Sequence, residues 1–173
     1  LAVLGAGLGI QRAAAEDAPW LRPPAVPLVV HDPYFSIWAV KDKLTDDWPR
    51  HWTGRTHGLS ALARIDGKPF RVMGPAPRDV PALKQTGLEV TPTRTVYTFD
   101  DAGVELVLTF TSPLLIKDLD VMSRPVTYIS ASFRAADGRP HAASFFFSAP
   151  AALTVNTPDQ KVVWGRYRVS GLE

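Results

Sequence analysis

The feature that most limits what this chain can fold into is a period of two. From Val104 to Thr111, Val104, Leu106, Leu108 and Phe110 share one face, and Glu105, Val107 and Thr109 share the other. A half-buried strand requires that alternation, because successive side chains leave a strand on opposite sides. Asp100-Asp101-Ala102-Gly103 precedes it, after a first strand from Thr93 to Phe99, so the whole reads as a hairpin. A second hairpin is predicted from Leu59–Ile65 and Phe70–Met73 around Asp66-Gly67, because Asp-Gly supplies the positive φ of a type I′ turn. A third is predicted from Val126–Arg134 and His141–Ala149 around Ala136-Asp137-Gly138, with Thr127, Ile129, Ala131 and Phe133 on one face. Short strands are also expected at Leu28–Val30, Phe35–Trp38, Leu153–Val155 and Val162–Val169.

No helix of ordinary length is expected. The best candidate is a short turn near Lys117–Asp120, since Pro113, Pro125 and the β-branched residues oppose a longer one. Many short strands with turns between them predict an all-β, antiparallel β-sandwich-like domain built of hairpins. The lack of βαβ alternation argues against a parallel α/β fold.

The 173 residues include 46% apolar and 21% charged types, which is globular composition. The net charge of +2 is interspersed, with no basic run to track phosphates, so nucleic acid is not an expected partner. With no cysteine, disulfides, thiolate zinc sites and cysteine nucleophiles are excluded. No motif calls for a cofactor or a metal.

The apolar run Leu1–Ile10 is too short to span a bilayer, and Ala13-Ala14-Ala15 follows it. An apolar stretch ending in small residues is the pattern of a signal peptide near its cleavage site. Residues 1–15 are read as its remnant, and the mature chain is expected to be secreted or periplasmic, with no membrane contact after cleavage. Residues 16–173 are read as one amino-terminal β-domain, incomplete at its carboxyl end.

The candidate site is the stretch from His31 to His57. His31 and Asp32 are adjacent before Pro33, either an imidazole–carboxylate pair or, since strand neighbours point apart, an Asx turn made by Asp32. Residues 41–57 lack both periods and form an expected ordered loop, of a length often functional. Asp46 and Asp47, with Asp42, lie there beside His51 and His57. They suit acid–base work or cation binding, or else a solvated loop tied by Asp–Arg contacts to Arg50 or Arg55. Trp38, Trp48 and Trp52 fit a sugar-stacking platform, a loop anchor or a domain interface. These residues are the candidate rim of a cleft or interface. No Ser lies in a nucleophile elbow and no glycine pattern cradles phosphate.

Pro24–Trp38, Asp42–Trp48, Arg50–Gly54, Arg64–Arg71, Pro92–Phe99, Leu119–Tyr128 and Gln160–Trp164 together resemble the secreted glutaminase A family of fungi and bacteria. The resemblance implies a multidomain extracellular protein in which a β-rich amino-terminal region precedes a helical region resembling an (α/α)6 barrel. That helical domain would be the partner, with a small-molecule substrate shared between the two. It also implies hydrolysis of glutamine to glutamate and ammonia by the full-length protein, with this segment an accessory lacking the catalytic residues. The alternatives are a carbohydrate-related module, since the same architecture occurs in glycoside hydrolases, and a purely structural domain.

Overall fold

The computed structural model describes residues 23–157, 159–168 and 170. The expected signal remnant at 1–15 lies outside them. Among the described residues nine strands form three antiparallel sheets: β1 (Val26–Val30) with β2 (Ser36–Ala39); β4 (Lys68–Met73), β3 (Ser60–Ile65) and β9 (Ala143–Ser148) in the order β4-β3-β9; and β5 (Gln85–Thr91), β6 (Arg94–Asp101), β7 (Val104–Thr111) and β8 (Tyr128–Ala135) in sequence order. The all-β expectation holds. The only α-helical segment among the described residues is one turn, α1 (Leu119–Met122), where the Asp118 carboxylate accepts a hydrogen bond from the Val121 N–H.

The period of two in β7 is realised as read: Val104, Leu106, Leu108 and Phe110 are buried. Opposite them, β6 buries Thr95, Tyr97 and Phe99, and the Tyr97 and Phe110 rings meet edge to face with centroids 6.4 Å apart. Each such fully buried large side chain contributes roughly 1.5–3 kcal/mol. Strand β1 packs on β6 and β7. It buries Leu28 and Val29 in succession because a register shift between Pro27 and Val29 breaks its alternation. The Thr95 hydroxyl donates to the Pro27 carbonyl at 2.6 Å, fixing that contact. Ala61, Ala63 and Ile65 of β3 and Val72 and Met73 of β4 complete one apolar cluster shared by the three sheets.

Two predicted hairpins form as expected. Asp66 (φ 49°) and Gly67 (φ 81°) turn β3 into β4, and Ala102 (φ 51°) and Gly103 (φ 77°) turn β6 into β7. The third does not. Strand β8 pairs with β7 and β9 pairs with β3, so residues 136–142 cross from one sheet to another. Strand β8 alternates as read, but the segment between the two strands is long enough to change sheets, and the inward aromatics Phe145 and Phe147 of β9 pack beside Ala61 and Ala63. Leu153–Val155 is not a strand but lies at the end of a 3₁₀ turn, Ala151–Thr154, and 162–168 has no regular structure. Apolar composition alone does not make a strand where no neighbouring strand is hydrogen-bonded to it. Strand β5 was not expected: its Gly87 and alternating polar residues hide it, and the turn into β6 is made by Pro92-Thr93, not by Asp-Gly.

Candidate functional site

The loop from Val40 to Gly58 is held by pairing that its sequence does not announce. Trp38 and Arg50 exchange backbone hydrogen bonds of 2.8 and 2.9 Å, and Arg50 bridges in turn to Thr56. His51 N–H donates to Arg55 O at 2.8 Å, and Gly54, at φ +89°, lets this small excursion close. The expected irregular loop thus contains a miniature hairpin against β2. Its first half is stapled from below. Gln85 accepts from the Leu44 N–H at 2.9 Å and donates to the Asp42 carbonyl at 2.9 Å. The Arg71 guanidinium donates to the carbonyls of Val80, Thr45 and Gly74.

Of the candidate residues, Asp32 is a turn former. Its Oδ1 accepts from the Tyr34 and Phe35 amides at 2.7 and 3.0 Å. His31 stacks on Phe35 and its Nε2 lies 3.3 Å from the Thr127 hydroxyl. The two therefore form no imidazole–carboxylate pair. Asp47 is tied to Arg50 at 3.0 Å and accepts from the Trp48 N–H at 2.8 Å. Burial pushes the Asp47 carboxyl up, but the Trp48 amide, Arg50 and Lys41 together hold it below its ordinary value. Asp46 is exposed.

The three indoles divide. Trp48 is an anchor. Its ring fills the space in front of Gly74, where an added Cβ would stand 2.9 Å from Cζ3, and it lies against Gly58. Trp38 is half-buried and donates to the Ser36 hydroxyl. Trp52 is 65% exposed, and its Nε1 donates to the Pro33 carbonyl at 2.6 Å. His51 Nε2 reaches the same carbonyl at 2.9 Å, so that nitrogen carries the proton, while Nδ1 accepts from the Thr53 hydroxyl at 2.8 Å. His51 and His57 stand with ring centroids 5.5 Å apart. The Nδ1 of His57 is buried with no hydrogen-bond partner, and burial, then His51 and Arg55, push this imidazole toward its neutral form.

The structure thus brings His51, Trp52 and the turn at Asp32 together around the Pro33 carbonyl, with His57 behind them. Trp38 meets this group through the backbone of Arg50, and Trp48 lies beneath. Thr53 and His51 are the nearest thing to a nucleophile and base, but the far nitrogen of the ring meets a carbonyl where a nucleophilic site would place an orienting group such as a carboxylate. Among the described residues, no group of three or more His, Asp or Glu side chains is arranged to hold a metal ion.

A second histidine cluster was not singled out from the sequence. His141, in the crossover, has Nδ1 at 2.6 Å from Asp66 Oδ2 and Nε2 at 2.9 Å from Asp137 Oδ1. Asp66 and Asp137 were visible only as turn residues, and nothing in the linear order says that their turns meet.

Residues 9–83 match a domain of unknown function (DUF4964), and residues 93–173 match another domain of unknown function (DUF5127). Glutaminase A of Aspergillus oryzae is 33% identical over 128 residues, which is 69% of this chain and 18% of that protein. A protein of Arthroderma benhamiae named as a probable glutaminase is 26% identical over 135 residues, 68% of this chain and 16% of its own length. The chain therefore spans less than a fifth of the curated relatives it matches. No solved structure matches it.

Proposed function

We propose that this chain is the accessory β-domain of a secreted or periplasmic glutaminase-like amidohydrolase, whose full-length form hydrolyses L-glutamine to L-glutamate and ammonia. The observation that carries the reading is the similarity to glutaminase A over more than two thirds of the chain. The site geometry supports the accessory role. Amide hydrolysis needs an activated nucleophile and donors for an oxyanion, and the loop around Pro33 offers hydrogen bonds already spent on its own backbone.

The natural partner is a helical domain of the same protein. Between β7 and β8 the chain presents Leu114, Leu115, Ile116, Leu119, Met122 and Val126 to solvent, Ile116 at 72% exposure. So many exposed apolar side chains in one short segment fit an interface better than a free surface. The candidate residues His31, Asp46, His51, Trp52 and His57 would stand at a cleft rim shared with that domain.

Ammonia release from L-glutamine tests this, assayed on the full-length protein and on the 173-residue chain. Activity in the first and none in the second is the expected result. Activity in the isolated chain would place the chemistry here and overturn the accessory role.

One observation favours a carbohydrate-related second reading. The Trp52 ring is fixed through its Nε1 to the carbonyl of Pro33 with much of its surface open, and Tyr34, the residue after Pro33, is 92% exposed. Such a pair can stack on the C–H faces of a sugar. Quenching of tryptophan fluorescence by oligosaccharides, abolished in Trp52→Ala, would support it.

A further inference from the structure

We propose that the corner formed by the β3–β4 turn, the β6–β7 turn and the β8–β9 crossover is a pH-operated clasp, closed in mildly acidic solution and released when His141 gives up its proton.

The geometry requires a charged ring. Both nitrogens of His141 face carboxylate oxygens, Asp66 Oδ2 at 2.6 Å and Asp137 Oδ1 at 2.9 Å. A carboxylate only accepts, and only the imidazolium donates from both nitrogens. Loss of one proton leaves a lone pair facing a lone pair at one of these contacts. The carboxylates are themselves positioned by the segments they join. Asp66 Oδ1 accepts from the Ala142 N–H at 2.9 Å, and the Asp66 N–H donates to the Ala142 carbonyl at 2.9 Å. Asp137 is held by the Arg139 amide and guanidinium at 2.9 and 3.0 Å. The third segment closes the corner: the Ala136 N–H donates to Gly103 O at 2.8 Å, and a Cβ at Gly103 would stand 2.8 Å from Asp137 Oδ2 and 2.9 Å from His141 Nε2.

The charged groups that face the ring are Asp66 from the first turn and Asp137, with Arg139 behind it, from the crossover. The β6–β7 turn presents backbone. Its flanking acids are engaged elsewhere, Asp101 by the amides of Lys84 and Ala102 and Glu105 by Arg134. Arg139 thus shares Asp137 with His141, but on the other carboxylate oxygen, Oδ2, while His141 takes Oδ1.

The proton linkage has a definite sign. Asp137 first and then Asp66 raise His141 above its ordinary 6.5. Its contribution is complete below that ordinary value and is lost as pH rises through the raised one. His141 in turn, with the Ala142 amide, lowers Asp66, and His141 together with Arg139 lowers Asp137 from 3.8 to about 2. Their contribution is complete above the ordinary carboxylate value and is lost as pH falls. The clasp is therefore tightest between the two ordinary values and opens on the alkaline side.

The test uses the 173-residue chain, labelled with nitrogen-15. The ring nitrogens of His141 are followed from pH 5 to pH 9, together with hydrogen exchange at the Ala142 amide corrected for intrinsic rate. Both ring nitrogens protonated at pH 6, and a midpoint above the ordinary 6.5, are expected. Ala142 protection should fall across the same interval, about tenfold for each pH unit between the folded and unfolded midpoints. Asp137→Asn should move both curves to lower pH. A neutral His141 tautomer at pH 6, or Ala142 protection indifferent to its titration, would overturn the proposal. The wild-type titration decides alone if the variant does not fold.

Discussion

The two histidine clusters of this molecule are fixed by different forces. The loop cluster of His51 and His57 is held by shape: a Trp48 ring seated on Gly74, a backbone pairing with β2, and carbonyls capped from Arg71. The corner cluster around His141 is held by charge, on a surface where both turns are partly exposed. Shape pushes His57 toward its neutral form, because the ring is desolvated and its Nδ1 is buried without a hydrogen-bond partner, whereas charge pushes His141 toward its cation. The same side chain is thus driven in opposite directions by its surroundings, and neither direction is visible in the residue type.

The largest blow to this contrast falls on the loop. Trp48→Ala should lower the free energy of unfolding by about 2–3 kcal/mol, somewhat less than the loss of a fully buried indole, read from urea denaturation. A negligible change would mean that Trp48 lies on the loop without anchoring it. Gly74→Ala should cost at least about 1 kcal/mol, since alanine is strained at φ +87° and its Cβ meets the Trp48 ring. Thermal melting compared with Gly54→Ala, which has open space at φ +89°, separates the clash from the strain.

The signs can then be set against each other. A histidine with a lowered folded value stabilises above the ordinary 6.5 and loses that contribution as pH falls. His57→Phe should therefore flatten the acid side of the stability profile, and His141→Gln the alkaline side. Chemical denaturation at intervals from pH 5 to pH 9 measures both. If the two variants flatten the same side, the opposition described here is wrong. The smallest effect is expected at Arg134→Ala, which removes the ion pair of 2.9 Å to Glu105. Arg134 is 73% exposed, and its loss should leave stability within about 0.5 kcal/mol.

Much of this architecture was legible in the sequence because its signals are local. Period two fixed the inward face of β7, and Asp66-Gly67 marked its turn by the φ values it tolerates. The Asx turn at Asp32 and the tie between Asp47 and Arg50 were readable for the same reason, each spanning three residues. What the sequence hid is non-local. Asp137-Gly138 looks like the turn of a hairpin, and only the competition for a partner strand sends β9 to β3 instead of β8. Once that pairing is misjudged, the meeting of Asp66 with His141 cannot be seen, because it depends on β9 running beside β3.

That strand placement bears on inheritance. Residues 9–83 and 93–173 match separate families, yet β9, from the second, forms an edge of the sheet begun by the first, and β1 from the first covers β6 and β7 of the second. A recombination breakpoint between them would give each half a stranger's strand to pair with. The two are modules on paper and one packed unit in the structure, so a gene that exchanges one is expected to exchange both.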